Sequence, residues 1–321
     1  MILSGNKAIQ HLAGVIEKED PAASSHWRKY HTGFTFTGDD FSGIQGFGNL
    51  EHPYTGWRAV AHHWLQQRYR RMAASFPAFA ELDALNKAIT KKQNRSYDLD
   101  VLRQTLTLAF LRKQIPDAFH ENATAWVIGD GFASMSCLLF ASRSVNTIVL
   151  INLSKTLMVD LWYLRRWMGE EVFAQSVHLI TDVSDVNALS ASDSTAKYPR
   201  VIAIQAMDHD LLNHLPADLV INIASMQEMD LSVIAGYFNN IHTAAARYQP
   251  LYFYCCNREE KLLPDGTITR IDAYPWEAGD AILVNERCPW HQQYYLLKPP
   301  FYFPYDGPIR HQLRKMLSDK G

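Results

Sequence analysis

Cysteine is scarce in this chain: four residues in 321, at Cys137, Cys255, Cys256 and Cys288, with no Cys-x-x-Cys pair. That argues against a disulfide framework and against a zinc site, and it reads as four reduced thiols in a cytoplasmic protein. Charge of one sign is also lacking. Thirty-one Lys and Arg face 33 Asp and Glu, a net of −2, so no bulk field draws the protein to nucleic acid or to an anionic membrane. No uninterrupted apolar run reaches membrane-spanning length. The opening MILSGNKAIQHLAG has no basic stretch leading into a long apolar core, so no secretory signal is expected. Internal repeats and low-complexity tracts are absent. What remains, 47% hydrophobic and 20% charged residues, is the composition of a soluble globular protein.

The chain divides by pattern near residue 120. Residues 1–120 read as a mainly helical region, with helices expected over GNKAIQHLAGVIEKE and DLDVLRQTLTLAFLRKQI, the second stopped near Pro116. A third follows Trp57, whose Val60, Ala61, Trp64 and Leu65 recur at helical spacing. Between His31 and Gly56 lies a Gly-, Asp- and aromatic-rich loop suited to a lid. From 121 to 321 apolar strands alternate with helical segments: TAWVIG, NTIVLINL, a short VHLIT, RVIAIQAM, ADLVINIA and LYFYCCN. SKTLMVDLWYLRRWMG is a helix with Ser154 as N-cap and Gly169 as stop. Near-continuous apolar strands between helices indicate an α/β fold with a mostly parallel sheet covered on both faces. AILVNE and QQYYLL read as an antiparallel hairpin closing one edge. Cys255 and Cys256, adjacent in a strand, point to opposite faces.

A second scarcity is local. The first strand runs into Gly129-Asp130-Gly131, but the third glycine of a dinucleotide fingerprint is replaced by Ser134, and the acid expected at the end of the second strand is Asn152. Glycines there let a ligand approach the backbone, and the following helix aims its N–H groups at it. A tight strand–helix turn with no ligand is the plain alternative. A pyrophosphate needs the close approach that the missing glycine provides. A phosphate-free ligand tolerates a looser turn, and Asn152 offers a donor and an acceptor to a diol.

ADLVINIASMQEMD concentrates polar groups at the carboxyl end of a buried strand: Asn222, Ser225, Gln227 and Glu228. Glu228 suits a general base or a sugar-orienting group. Ser225 with Glu228 three residues on also fits a capping box. Asp208, His209 and Asp210 follow another strand end, where His209 suits a general base, or the cluster a divalent-cation site, or a solvated loop. Asn257 and Arg258 end the LYFYCCN strand. The aromatic segments CPWHQQYY and PPFYFPYDGPIRH suit stacking on sugar faces, core packing or a homo-oligomer interface, with Trp290 and His291 the substrate-side candidates.

Taken in order, VIGDGFA, TIVLINLSKTLMVDLWYL, DLVINIASMQEM and LYFYCCNRE resemble the sugar O-methyltransferase family, within the class I, Rossmann-like, S-adenosylmethionine-dependent methyltransferases. The resemblance spans roughly Thr124 to Tyr305, and the Asn-x-x-Ser-x-Gln-Glu-Met block is its most specific part. It implies S-adenosyl-L-methionine as cofactor, with magnesium or another divalent metal conceivable but unsupported. Gly129, Asp130, Gly131 and Phe132 would line the methionine side, and Asn152 with Leu153 would meet the ribose. Met207 and Asp208 would lie near the adenine, and Asn222, Ile223 and Ala224 beneath the transferred methyl. Gln227 and Glu228 would face a sugar or glycan acceptor. Beside the resemblance, the residues themselves offer Ser225, Asn257, Arg258, Trp290 and His291 on the substrate side, with Glu228 or His209 as base. Two departures from many class I enzymes stand out: Val127 two residues before the first glycine, and Asn152, where acids are usual. A nicotinamide-dependent oxidoreductase and a non-catalytic small-molecule or partner-binding protein are the alternatives.

Overall fold

The computed structural model describes residues 2–16, 18–38, 40–43, 45, 53–190 and 197–317. Its centre is a nine-stranded sheet made of β1 (Leu3–Ser4), β2 (Thr124–Ile128), β3 (Thr147–Asn152), β4 (Val177–Leu179), β5 (Arg200–Gln205), β6 (Leu219–Ile223), β7 (Leu251–Arg258), β8 (Ala281–Arg287) and β9 (Ile309–Met316), in the spatial order β1-β4-β5-β3-β2-β6-β7-β9-β8. Strands β4, β5, β3, β2, β6 and β7 are mutually parallel. The order reverses at β2, where the chain leaves for β3 on one side and later returns to β6 on the other, which makes the ends of β2 and β6 a switch-point crevice. The chain's last strand, β9, runs antiparallel to β7 and separates it from β8. This is a Rossmann-like α/β sheet, mostly parallel with antiparallel C-terminal strands.

Alternation along each strand sends side chains to two cores. Ala125, Val127, Ile148, Leu150, Tyr254 and Cys256 join one, with residues of α1 (Asn6–Val15), α4 (Phe79–Lys92), α5 (Leu99–Gln114), α6 (Ser134–Ala141) and α7 (Ser154–Met168). Trp126, Ile128, Val149, Ile151, Phe253 and Cys255 join the other, with α9 (Val183–Ser190) and α10 (Leu231–Ala245). Remaining helices are α2 (Ser25–Tyr30), α3 (Gly56–Arg70) and α8 (Glu170–Ser176). One core thus runs across residue 120: Ala8, Leu12, Leu82 and Leu102 are buried with strand residues, and β1 pairs with β4 at the sheet edge.

Several local expectations change. AILVNE pairs with β9, not with QQYYLL. Gln293–Tyr295 instead pairs with Tyr302–Pro304 in a separate small hairpin. Alternation in β9 is obscured by Arg310, Arg314 and Lys315, so its strand character comes from pairing on both sides. Ser154 is the first helical residue rather than the cap, and its hydroxyl donates to Asp20 and Gln205 at 3.0 and 3.1 Å. The apolar stripe of α3 splits: Leu65 is in the core, while Trp57, Val60 and Trp64 face outward at 72, 70 and 63% exposure. Much of the His31–Gly56 loop (39, 44 and 46–52) lies outside the described residues, and the rest includes a hairpin of Thr35–Phe36 with Phe41–Ser42. No helix among the described residues is long and apolar enough to cross a membrane.

Candidate functional site

A cleft of about 240 Å³ opens at the carboxyl ends of β2, β3 and β6. Its floor begins with the glycine turn. Gly129 has φ +71°, and a Cβ there would sit 2.3 Å from the Ser225 hydroxyl oxygen. The first glycine is therefore required by the neighbouring loop as much as by any ligand. Gly131, Phe132 and Ala133 continue in the left-handed region at φ +63°, +59° and +49°, a sharp reversal that starts α6. Asp130 folds back on that helix: its two carboxylate oxygens accept the N–H groups of Met135 and Ser136 at 2.8 and 2.7 Å. Burial holds its carboxyl above the usual range.

The second acid lies further along the chain than the fingerprint position. Asp160, wholly buried on α7, accepts from Asn152 Nδ2 and from the Ala133 N–H, both at 2.8 Å. Asn152 Oδ1 accepts the Leu153 N–H at 3.0 Å. Burial, reinforced by Asp130, pushes the Asp160 carboxyl well above its ordinary range. Asn152 therefore ties the end of β3 to α7 and the glycine turn.

The Asn-x-x-Ser-x-Gln-Glu block is a polar scaffold beneath the cleft. Asn222 Nδ2 and Ser225 Oγ both donate to the Ile128 carbonyl at 2.9 Å. Asn257 Nδ2 donates to Asn222 Oδ1 at 2.8 Å, and Asn257 Oδ1 accepts the Gln227 N–H at 3.1 Å. Gln227 Oε1 accepts the Arg258 N–H at 2.7 Å. These bonds cross the ends of β2, β6 and β7, and they hold Ala224 at φ +58°. Ser225 does not cap a helix; its hydroxyl is spent on β2.

Glu228 instead turns to α2. Its carboxylate lies 3.3 Å from His26 Nε2 and 3.9 Å from Lys261 Nζ, and the Ser24 hydroxyl donates to the Glu228 carbonyl. Burial, then Arg258, lowers the Lys261 pKa.

Gly129, Asp130, Gly131, Phe132, Asn152, Leu153, Ile223, Ala224, Ser225, Gln227, Glu228, Arg258 and His291 all line the cleft. Asn222 and Asn257 lie just under it as scaffold. The other expectations fall elsewhere. Met207 is 53% exposed and Asp208 is not in the lining; of that stretch, Ala206 reaches the cleft. His209 is held on α10, where Asn240 Nδ2 bonds its Nδ1 at 2.8 Å and its ring lies against Tyr237, so it does not face Glu228's cleft. Trp290 is core: it is 2% exposed, packs on Phe76 and Phe110, and donates to Thr107 at 3.1 Å.

The first 120 residues supply a wall that the motifs did not announce. Ala22 and Trp27 meet Leu153 and Ala206 in an apolar slot. Arg95 is buried with its guanidinium 4.2 Å from the Phe132 ring, and its Nε has no hydrogen-bond partner among the described residues. Asp98 caps α5 through the Val101 N–H at 2.9 Å, and burial followed by Asp100 pushes its carboxyl up to about 7. Arg103 pairs with Asp100 at 2.7 Å. Asp98, Asp100, Arg103, Arg258 and Tyr305 also border an outer cavity of about 740 Å³, walled by Tyr54, His62, Tyr294 and Tyr295. A usable signal was Arg103, a cation inside a helix whose neighbours Leu99, Leu102, Leu106 and Phe110 are all core residues.

No family model and no curated protein sequence matches the chain. Among solved structures, it is similar to an S-adenosylmethionine-dependent methyltransferase of Leishmania major at 12% identity, TM-score 0.36, covering 84% of this chain and 87% of that one. It is also similar to magnesium protoporphyrin IX methyltransferase of Synechocystis with bound S-adenosylmethionine, at 10% identity, TM-score 0.35 and coverage of 67% and 79%. A third is an rRNA methylase of Streptococcus thermophilus at 6%, TM-score 0.36, covering 66% and 96%. Likeness at this level says nothing of the present chain's chemistry, which rests on the site.

Proposed function

We propose that the protein is an S-adenosylmethionine-dependent methyltransferase acting on a hydroxyl of a sugar or glycoconjugate. The observation that carries the reading is the Asp130 carboxylate on the first N–H groups of α6. In a dinucleotide site that position receives pyrophosphate. A carboxylate already there repels phosphate and leaves room for a phosphate-free, cationic donor, which speaks against a nicotinamide cofactor.

The remaining residues suit such a donor. The slot of Ala22, Trp27, Leu153 and Ala206 fits an adenine ring. Arg95 Nε, without a hydrogen-bond partner among the described residues, fits a methionine carboxylate. Asn152, engaged by Asp160, has one amide hydrogen left for a ribose hydroxyl. When bound, the sulfonium supplies an activated methyl group, so the chain's task is alignment and proton removal. Glu228, with His26 and Lys261 beside it, takes the acceptor hydroxyl proton. The outer cavity, with four tyrosines and both Arg103 and Arg258 on its walls, fits a hydroxyl-rich acceptor with apolar C–H faces.

Calorimetric titration with S-adenosylmethionine, S-adenosylhomocysteine and NAD tests the donor. The first two are expected to bind and NAD is not; NAD binding with no adenosyl ligand bound at millimolar concentration would overturn the reading. Glu228→Gln is then expected to lower kcat about 10²–10⁴-fold on a sugar acceptor that the wild type methylates, while leaving donor affinity within a few fold. A variant with unchanged kcat removes Glu228 from the chemistry.

A further inference from the structure

Behind the wall where His291 meets the cleft, the fold gathers three metal-ligating side chains far apart in sequence. The sulfurs of Cys256 and Cys288 and a ring nitrogen of His291 lie within 4.8 Å of one another, and all three residues are buried. Cys256 comes from β7, two strands from β8, and Cys288 and His291 come from the Cys-Pro-Trp-His turn that ends β8.

That turn is fixed without help from the thiols. The Cys288 N–H donates to the Ile309 carbonyl at 2.9 Å, and the Cys288 carbonyl accepts the His291 N–H at 3.1 Å and Gln292 Nε2 at 2.8 Å. Arg103 Nε donates to the Trp290 carbonyl at 3.0 Å, with its charge answered by Asp100. Held this firmly, the imidazole still has a buried Nε2 with no hydrogen-bond partner among the described residues. An unpaired buried ring nitrogen is a feature that needs an explanation, and an absent ion is one.

We propose that Cys256, Cys288 and His291 form a zinc site whose fourth position opens toward the cleft. Zinc–sulfur bonds of about 2.3 Å and zinc–nitrogen bonds of about 2.0–2.1 Å put tetrahedral ligand atoms somewhat under 4 Å apart, so the three need only close in by about 1 Å or less. Two thiolates cancel the charge of a dication, which suits a wall built from Phe110, Trp290 and Tyr254. Soft sulfur and imidazole ligands select zinc over magnesium or calcium. Three protein ligands with one open position is the arrangement of catalytic rather than structural zinc sites, and His291, the ligand that borders the cleft, sets which side is open. The occupant of that position is a water or a ligand hydroxyl.

The test uses the full chain, expressed in zinc-supplemented medium, tag removed, thiols reduced, with metal measured by mass spectrometry. About one zinc per chain is expected, with at least about a tenfold loss in Cys288→Ser and in His291→Ala. Cys137→Ser, whose thiol lies on α6, is expected to keep it. Wild type holding less than ~0.1 zinc per chain after equilibration with zinc, or equal zinc in all variants, overturns the site. If the ligand variants fail to fold, cobalt(II) added to the zinc-free wild type decides: thiolate charge-transfer and tetrahedral ligand-field bands support the site, and their absence overturns it. A metal-free Cys256–Cys288 disulfide in the purified protein, seen by alkylation and mass spectrometry, likewise overturns it.

Discussion

At the scale of single residues, Asn152 shows how a missing fingerprint acid can be a consequence of its surroundings. Two carboxylates, the half-buried Asp130 and the buried Asp160, already lie around the glycine turn, and Asn152 donates to the second at 2.8 Å. A carboxylate in its place would face a second acid across that distance, so the pair could bond only by taking up a proton. Asn152→Asp is therefore expected to destabilise the fold by roughly 1–3 kcal/mol, the range for breaking a buried hydrogen bond. The exchange Asn152→Asp with Asp160→Asn re-forms each bond: an amide at 160 donates to 152 while its oxygen still accepts the Ala133 N–H, and an acid at 152 still accepts the Leu153 N–H. Denaturant unfolding is expected to show the single variant weakened and the exchange restored. Calorimetry is expected to show tighter adenosyl-ligand binding for the exchange, because a carboxylate makes the stronger bond to a ribose diol. A single variant as stable as wild type would mean that the Asn152–Asp160 bond does not organise the turn.

At the scale of elements, α2 and the turn after it decide whether the N-terminal region stays closed over the sheet. Ser24 and His26 reach Glu228, and Lys155 of α7 donates to the His31 carbonyl at 3.1 Å. The His31 ring is buried against Trp27, its Nε2 has no hydrogen-bond partner among the described residues, and burial followed by Lys155 lowers its pKa to about 4. A histidine depressed in the folded state is neutral there and protonated first in the unfolded chain. Its contribution to stability is thus complete above about pH 6.5 and is lost as pH falls toward 4, a difference of up to about 3 kcal/mol. His31→Gln, neutral at every pH, is expected to flatten the slope of unfolding free energy between pH 6.5 and 4 relative to wild type. Carboxylates titrating in the same window contribute to both slopes and cancel in the comparison. Equal slopes would show that His31 is not buried neutral in solution.

At the scale of the whole molecule, what the sequence disclosed and what it hid follow from how far apart the cooperating residues lie. Gly129, Asn222 and Glu228 were legible because each sits at the end of an apolar strand, and strand ends are where a parallel sheet exposes its backbone. Strand β9 and the His26–Glu228 pair were not, because a strand with three cations among its eight residues and a histidine 202 positions from its partner acquire meaning only when the sheet closes. His209 misled for the converse reason: an acid-histidine-acid run looks chemical in one dimension, yet α10 claims its ring. The site is consequently a joint product of regions on both sides of residue 120, and ligand binding should couple them. Hydrogen exchange with and without saturating S-adenosylhomocysteine is expected to slow together in 20–31, 129–136 and 222–229, the three segments that meet at the cleft. The outermost strand β8, whose residues are largely exposed, is expected to exchange at the same rate in both states. Because a ligand stabilises only the conformation it binds, protection in 20–31 should grow with ligand concentration in step with that in 129–136. Protection confined to 129–136 and 222–229 would mean that the donor rests on the sheet alone and that α2 belongs to the acceptor side.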